Sequence, residues 1–246
     1  MTLEIQRSEN LATPAVALAI AAHPDDVEFQ CGATFAKWAA DGCVIHHLIC
    51  TDGSKGTWDA NADTVALVAR RQVEQREAAD RLGSIGEVRY LGQVDGELIH
   101  GRELVGEVAR HIRELKPGVV FGHDPWKRWR LHPDHRNAGF LVTDGVVAAR
   151  DPHFFPEHPV AHHRPDHVLL FETEEPNHAE DVSGYADAKV AALEAHESQF
   201  ETTMDITDLS SADEREAFWA KITAELVAGG DVAGMTQAEL FRRIDP

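Results

Sequence analysis

Short runs of mostly apolar residues recur along the chain, and their spacing constrains the fold more than any other feature of the sequence. The runs are PAVALAI (14–20), CVIHHLICT (43–51), GVVFGH (118–123) and HVLLFE (167–172), with EVRYLG (87–92) as a fifth, less apolar run. Strands with apolar residues on both faces are buried on both faces, which is typical of parallel sheets. The pattern therefore predicts five strands in a sheet that helices cover on both sides.

The segments between these runs have the apolar spacing of helices. This spacing is found in 28–42, 64–83, 98–116 and 134–150, and again after the last predicted strand in 184–200 and 212–230. Strands that alternate with helices predict an α/β fold, here a Rossmann-like three-layer sandwich with a mostly parallel sheet. From its length we expect the whole chain, residues 1–246, to form a single domain.

The net charge of the chain limits the kinds of partner that it is expected to bind. It has 23 Lys and Arg residues against 42 Asp and Glu residues, a formal net charge of −19. Such a chain is not expected to bind nucleic acid, which requires cations against phosphates, and anionic membrane surfaces would repel it. No apolar run approaches the roughly 18 residues of a membrane span, and the N-terminal segment lacks the pattern of an export signal. The sequence thus predicts a cytoplasmic protein with a small-molecule ligand, and it leaves homo-oligomer formation open.

Two clusters of histidine and aspartate, HPDD (23–26) and HPDH (132–135), follow the first and fourth predicted strands. In doubly wound sheets the loops after neighbouring strands meet where the strand order reverses, so an order of 3-2-1-4-5 would bring the two clusters together. Two imidazoles and a carboxylate are the ligands of catalytic zinc, whereas calcium and magnesium prefer oxygen ligands. Each cluster alone could be a capped turn at the start of a helix, but two at the same sheet edge favour a metal site.

The residues around both clusters resemble the LmbE/PIG-L family of zinc-dependent N-deacetylases, which includes N-acetylglucosaminyl deacetylases. The resemblance begins with AHPDDVEFQCGAT (22–34) and HPDHRNAG (132–139). RQVEQREAADRLG (71–83) is similar to the R-x-x-E-x-x-x-A helix of that family, YLGQVDGEL (90–98) to its segment after the third strand, and KVAALEAHESQF (189–200) to its K-x-x-A-x-x-x-H-x-S-Q helix. The match therefore extends from the first predicted strand to Phe200.

The resemblance implies a role for each matching position. It implies that His23, Asp26 and His135 bind zinc, and Fe(II) can occupy similar sites of histidine and carboxylate. Asp25 would be the general base, and His132 would stabilise the oxyanion or protonate the leaving amine. Arg71 would hold a substrate hydroxyl or carbonyl group. Val27, Gln30 and Ala33 depart from residues common in the family, which leaves the loop shape and the substrate preference undetermined.

Several features outside these motifs admit two readings. In WKRWR (126–130) the indoles and cations are typical of a sugar-binding loop, with Trp129 and Lys127 as substrate-binding residues, although packing aromatics are an alternative. HFFPEHPVAHHRPDHV (153–168) contains five histidines; we expect a solvated loop beside the substrate rather than a second metal site. His123 and Asp124 end the fourth strand and either line the pocket or cap the strand.

The sequence supports one function best and leaves others open. The favoured function is hydrolysis of an N-acyl group, most simply N-acetyl, from a small molecule that contains an amino sugar. A larger amide, such as a thiol-sugar S-conjugate, would use the same groups in a roomier pocket. A non-catalytic metal- or ligand-binding protein is a further alternative, but it would have no need of Asp25. A dinucleotide-binding transferase is excluded because the phosphate-binding glycines are missing.

Overall fold

The computed structural model describes residues 8–208 and 210–246, and its centre is an eight-stranded sheet within these residues. The strands are β1 (Ser8–Glu9), β2 (Val16–Ala21), β3 (Val44–Thr51), β4 (Val88–Gln93), β5 (Val119–His123), β6 (His167–Phe171), β7 (His178–Asp181) and β8 (Ala238–Ile244). They lie in the order β1-β7-β8-β6-β5-β2-β3-β4. Neighbouring strands are parallel except that β8 runs antiparallel to both β6 and β7.

Helices cover both faces of the sheet. They are α1 (Asp26–Ala40), α2 (Thr64–Arg81), α3 (Arg102–Leu115), α4 (Pro133–Arg150), α5 (Ala186–Leu193), α6 (Phe200–Thr203) and α7 (Ala212–Ala233), with a 3₁₀ turn at Glu197–Gln199. One apolar core lies between the sheet and the side that carries α1, α2 and α5, and a second lies between the sheet and α3 and α4. Among the described residues, none of the helices has the length and apolar composition needed to cross a bilayer.

The predicted fold class is confirmed, and the strand order is the one that would bring the two clusters together. The five predicted strands are β2 to β6, and their spatial order β4-β3-β2-β5-β6 corresponds to 3-2-1-4-5. Their apolar side chains fill both cores, because β2, β3, β5 and β6 contribute to each face. The strands β1, β7 and β8 were not predicted, because β1 has two residues and the other two are rich in charged side chains.

Two predicted helices have different bounds in the structure. The segment predicted from residue 98 becomes helical only at Arg102, because the backbone of Leu98 is bound by Asp134 and Asn137 of α4 instead. The helix predicted over 184–200 ends at Leu193 and is followed by the 3₁₀ turn and α6. That break places His196 against Glu28 beneath the start of α1.

The topology determines where the site forms. The central strand β2 pairs in parallel with β3 on one side and β5 on the other, with Ala17 opposite Val119 and Ile20 opposite Gly122. The segments that follow β2 and β5 therefore leave the sheet at the same edge, as expected for a doubly wound sheet.

Candidate metal centre and active site

Three side chains that the sequence predicts as metal ligands, His23, Asp26 and His135, meet at this edge. His23 follows β2, Asp26 is the first residue of α1, and His135 lies in the first turn of α4. His23 Nδ1 lies 3.4 Å from Asp26 Oδ2, and His135 Nε2 lies 3.4 Å from Asp26 Oδ1 and 3.2 Å from His23 Nδ1. Donor atoms of the three side chains therefore face the same small volume, with Asp26 Oδ2 beside His23 and Asp26 Oδ1 beside His135.

These separations fit a tetrahedral zinc ion. Bonds of ~2.0–2.1 Å from zinc to nitrogen and oxygen place neighbouring ligand atoms of a tetrahedron about 3.3 Å apart. Three protein ligands drawn from histidine and carboxylate are also typical of catalytic zinc sites rather than structural ones. The residues present thus have the donor chemistry and the spacing that a zinc ion requires.

The second ring nitrogen of His23 faces two carboxylates. His23 Nε2 lies 3.1 Å from Asp134 Oδ2 and 3.2 Å from Asp95 Oδ1. Asp134 is itself fixed because the backbone N–H groups of Gly96 and Leu98 donate to its two oxygens. An Nε2–H that donates to these carboxylates leaves the Nδ1 lone pair for a metal ion and makes it more basic. Sequence reasoning assigned no role to Asp95 or Asp134, although both lie inside the quoted motifs.

A second polar network also contacts Asp26. The buried ring of His123 lies with Nε2 3.3 Å from Asp26 Oδ2 and Nδ1 2.8 Å from Glu172 Oε2. Glu172 also accepts from Arg130, whose Nη1 lies 2.9 Å from Glu172 Oε1. Although burial opposes it, His135 and His123 hold the pKa of Asp26 well below its usual range. His123 therefore contacts the site. Donor atoms of Asp26, His123 and His135, and those of His23, His132 and His135, also lie close enough together to hold a metal ion.

Asp25, the predicted base, is held beside the metal ligands by α2. Its backbone is left-handed with φ of 93°, and the N–H donates to Gln75 Oε1 at 2.9 Å. Arg71, one turn earlier on α2, donates through Nη2 to Asp25 Oδ2 at 3.1 Å and to the Pro24 carbonyl at 2.7 Å. Burial raises the pKa of Asp25 to about 6 against the opposing charge of Arg71. The geometry thus separates the two neighbouring aspartates: Asp26 faces the histidines and Asp25 faces Arg71.

His132 occupies the position before α4 and is exposed. Its Nδ1 accepts from the backbone N–H of Asp134 at 3.3 Å, which makes it the N-cap of the helix. The ring centroid lies 4.7 Å from that of His23 and 5.1 Å from that of His135. His132 thus lies next to the predicted ligands in an exposed position.

A cavity of about 500 Å³ opens over this cluster. Six of the sequence-predicted site residues line it: His23, Asp25, Asp26, Arg71, His132 and His135. The predicted substrate-binding residues Trp129 and Lys127 do not; Trp129 is 84% exposed and Lys127 lines a separate groove beside Arg242. Nor does the loop after α4, expected beside the substrate, line the cavity: His158 and His162 border a small depression next to Arg113.

Comparison with known proteins identifies the family to which this fold and this site belong. The family model described as GlcNAc-PI de-N-acetylase (PIG-L) matches residues 18–146, a range that includes both histidine clusters. The chain belongs to the PIG-L family of de-N-acetylases.

Particular relatives extend the match beyond the family model. The chain is 37% identical over 186 residues to the diacetylchitobiose deacetylase of Thermococcus kodakarensis, in an alignment that covers 74% of this chain and 69% of that protein. It is 35% identical to the 1D-myo-inositol 2-acetamido-2-deoxy-alpha-D-glucopyranoside deacetylase of Segniliparus rotundus, over 56% of this chain and 52% of that protein. The solved structure of N,N'-diacetylchitobiose deacetylase from Pyrococcus horikoshii superimposes with a TM-score of 0.84 at 28% identity, over 94% of this chain and 84% of that one.

Proposed function

We propose that the protein is a zinc-dependent N-deacetylase that releases acetate from an N-acetylated amino sugar in a small molecule. The observation that carries the proposal is the pairing of two adjacent carboxylates with different surroundings. Asp26 lies among the histidines that fit a metal ion, while Asp25, bonded to Arg71, lines the cavity beside them. A protein that only bound a metal would need Asp26 but not Asp25.

The proposed roles follow from where each group lies. His23, Asp26 and His135 would hold the ion, and a bound zinc ion supplies Lewis acidity that polarises an amide carbonyl and makes water more acidic. Asp25 accepts the proton of the attacking water, for which a carboxyl pKa of about 6 is suitable near neutral pH. His132 stabilises the charge on the former carbonyl oxygen or donates a proton to the leaving amine. The carbon–nitrogen bond breaks, and acetate and a free amino sugar leave.

The experiment that tests this function is a screen for acetate release by the zinc-loaded protein. The substrates are N-acetylglucosamine, N,N'-diacetylchitobiose and N-acetylglucosaminyl inositol, and a chelator-treated sample is the control. We expect acetate and one free amine in equal amounts, lost with the chelator and restored by zinc. If the protein releases no acetate but hydrolyses a larger amide of a thiol-sugar conjugate, the acetyl specificity is wrong. If it binds zinc yet hydrolyses neither, a non-catalytic role replaces the proposal.

A further inference from the structure

An exposed indole stands at the mouth of the cavity. Trp58, in the loop between β3 and α2, lines the same cavity as Asp25 and Asp26 and yet is 77% exposed. The two aspartates are buried, so the cavity runs from a buried polar floor to an exposed aromatic rim. A ligand that extends from the floor to the rim would cover Trp58.

Hydrogen bonds fix the loop that carries Trp58 to residues at the polar floor of the cavity. Arg71 Nη1 donates to the Gly53 carbonyl at 2.9 Å, and Gln199 Nε2 donates to the Gly56 carbonyl at 3.0 Å. A Cβ atom at Gly56 would lie 2.3 Å from Arg71 Nη1, so only glycine allows this close approach. Because Arg71 also bonds Asp25, the position of the indole is tied to that of the proposed base.

The indole of Trp58 has no partner of its own among the described residues. No ring contact, cation–π contact or hydrogen bond of this side chain is found there. By contrast, Trp126 packs edge-on against Phe140, and the indole N–H of Trp219 donates to Asp187 at 2.8 Å. Trp129 is as exposed as Trp58 and lies outside the cavity.

Three threonines contribute neutral hydroxyl groups to the lining of the cavity. Thr57, Thr202 and Thr203 line the cavity, and their hydroxyls keep lone pairs for a ligand after their internal hydrogen bonds are made. The cations that line the cavity already face carboxylates. Lys55 Nζ lies 3.0 Å from Glu97 Oε1, and Arg71 Nη2 lies 3.1 Å from Asp25 Oδ2. An uncharged ligand with hydroxyl groups suits this rim better than a phosphate or a carboxylate.

We propose that Trp58 is the platform of a second sugar subsite, so that the substrate is at least a disaccharide with its N-acetylated ring at the metal end. The C–H groups of a pyranose are weakly positive and pack on the negative face of an indole, while the threonine hydroxyls meet the sugar hydroxyls. A cavity of about 500 Å³ is within the range of sites that bury ligands of this size. This inference rests on the proposed function, because it takes the cluster at the floor as the place of the N-acetylated ring.

The subsite can be tested by measuring ligand affinity calorimetrically. The zinc-loaded Asp25→Asn protein is used because it should bind its ligand without hydrolysing it. The ligands are N,N'-diacetylchitobiose and N-acetylglucosamine, each measured with and without Trp58→Ala. We expect the disaccharide to bind roughly tenfold more weakly after the substitution, and the monosaccharide to change less than about twofold. Trp58→Phe should restore most of the difference. Trp219→Ala, an exposed indole on α7, is the matched control.

Several results would overturn the subsite. One is an equal loss of affinity for both ligands in Trp58→Ala. Another is a loss of disaccharide binding in Trp129→Ala but not in Trp58→Ala, which would place the second ring on the 126–130 loop. A third is tighter binding of N-acetylglucosamine 1-phosphate than of the disaccharide, unaffected by Trp58→Ala. Disaccharide binding that depends on Trp58 without acetate release by the wild type would support the subsite and contradict the proposed function instead.

Discussion

Asp25 and Asp26 are neighbours of identical chemistry in different surroundings. Asp26 accepts the backbone N–H of His23 at 2.8 Å and faces three imidazole rings, whereas Asp25 accepts from Arg71. The separation depends on the left-handed backbone of Asp25, an unusual conformation for a residue other than glycine. Glu172, which contacts His123, is also left-handed, with φ of 60°.

Amide substitutions should separate the two roles. Asp25→Asn should keep zinc at about one equivalent while kcat falls by roughly two to four orders of magnitude, the usual cost of losing a general base. Asp26→Asn should lose zinc on dialysis and recover some activity in excess zinc, because an amide oxygen is a weaker, neutral ligand. Elemental analysis and acetate release on both proteins check this.

Asp144→Asn, an exposed position on α4, serves as the control and should match the wild type in both measurements. A metal-free Asp25→Asn protein, or one that turns over at the wild-type rate, would show that the two aspartates do not divide the work as proposed.

At the scale of elements, helix α1 is broken where it leaves the site. Cys31 has a non-helical φ of −141°, and the buried pair of Lys189 and Glu239 lies at the break. Lys189 Nζ donates to the Phe29 carbonyl at 2.6 Å, and Glu239 accepts from the N–H groups of Ala33 and Thr34. The pair satisfies backbone groups that the broken helix cannot pair internally. It thereby connects α5 and β8 to the first turn of α1, which carries Asp26.

Removing one member of this pair should destabilise the protein. Lys189→Met leaves the Glu239 charge buried without its cation, and we expect a loss of about 3–5 kcal/mol in the free energy of unfolding. The double change Lys189→Met with Glu239→Gln should recover part of the loss because the uncompensated charge is gone. Urea unfolding followed by circular dichroism measures both.

The exposed pair of Lys55 and Glu97 provides the comparison, since Lys55→Met should leave the free energy of unfolding nearly unchanged. Equal losses for Lys55→Met and Lys189→Met would mean that the buried pair does not support the break in α1.

The central elements could be predicted from the sequence, and the peripheral ones could not. Apolar runs identified β2, β3, β5 and β6 because these strands are buried between two helical layers. The predicted strand β4 lies at the edge of the sheet and is only half-buried. The strand β8, AELFRRI, carries three charged residues, and its place between β6 and β7 depends on pairing with distant segments. Such long-range pairing leaves no periodic signal in the local sequence.

At the scale of the whole molecule, the site draws on segments far apart in the chain. The proposed ligands were predictable because they lie in two compact motifs, one directly after β2 and one at the start of α4, that resemble those of the LmbE/PIG-L family. The supporting residues Asp95 and Glu172 are single carboxylates without a spacing pattern, and sequence reasoning assigned them no role. Glu172 could have been found by the same rule, since it directly follows β6 at the edge where β2 and β5 end. The role proposed for Trp58 could not be predicted from the sequence, because it depends on the position of the side chain at the cavity rim rather than on any motif.

The most direct test of this account is the position of zinc in the folded protein. Anomalous diffraction at the zinc edge, from crystals of the zinc-loaded protein, should show one ion per chain within roughly 2.2 Å of His23 Nδ1, His135 Nε2 and an Asp26 oxygen. Asp25 should lie beside the ion without binding it. An ion held instead by Asp26, His123 and His135, or a second ion among the histidines of 153–168, would contradict the account.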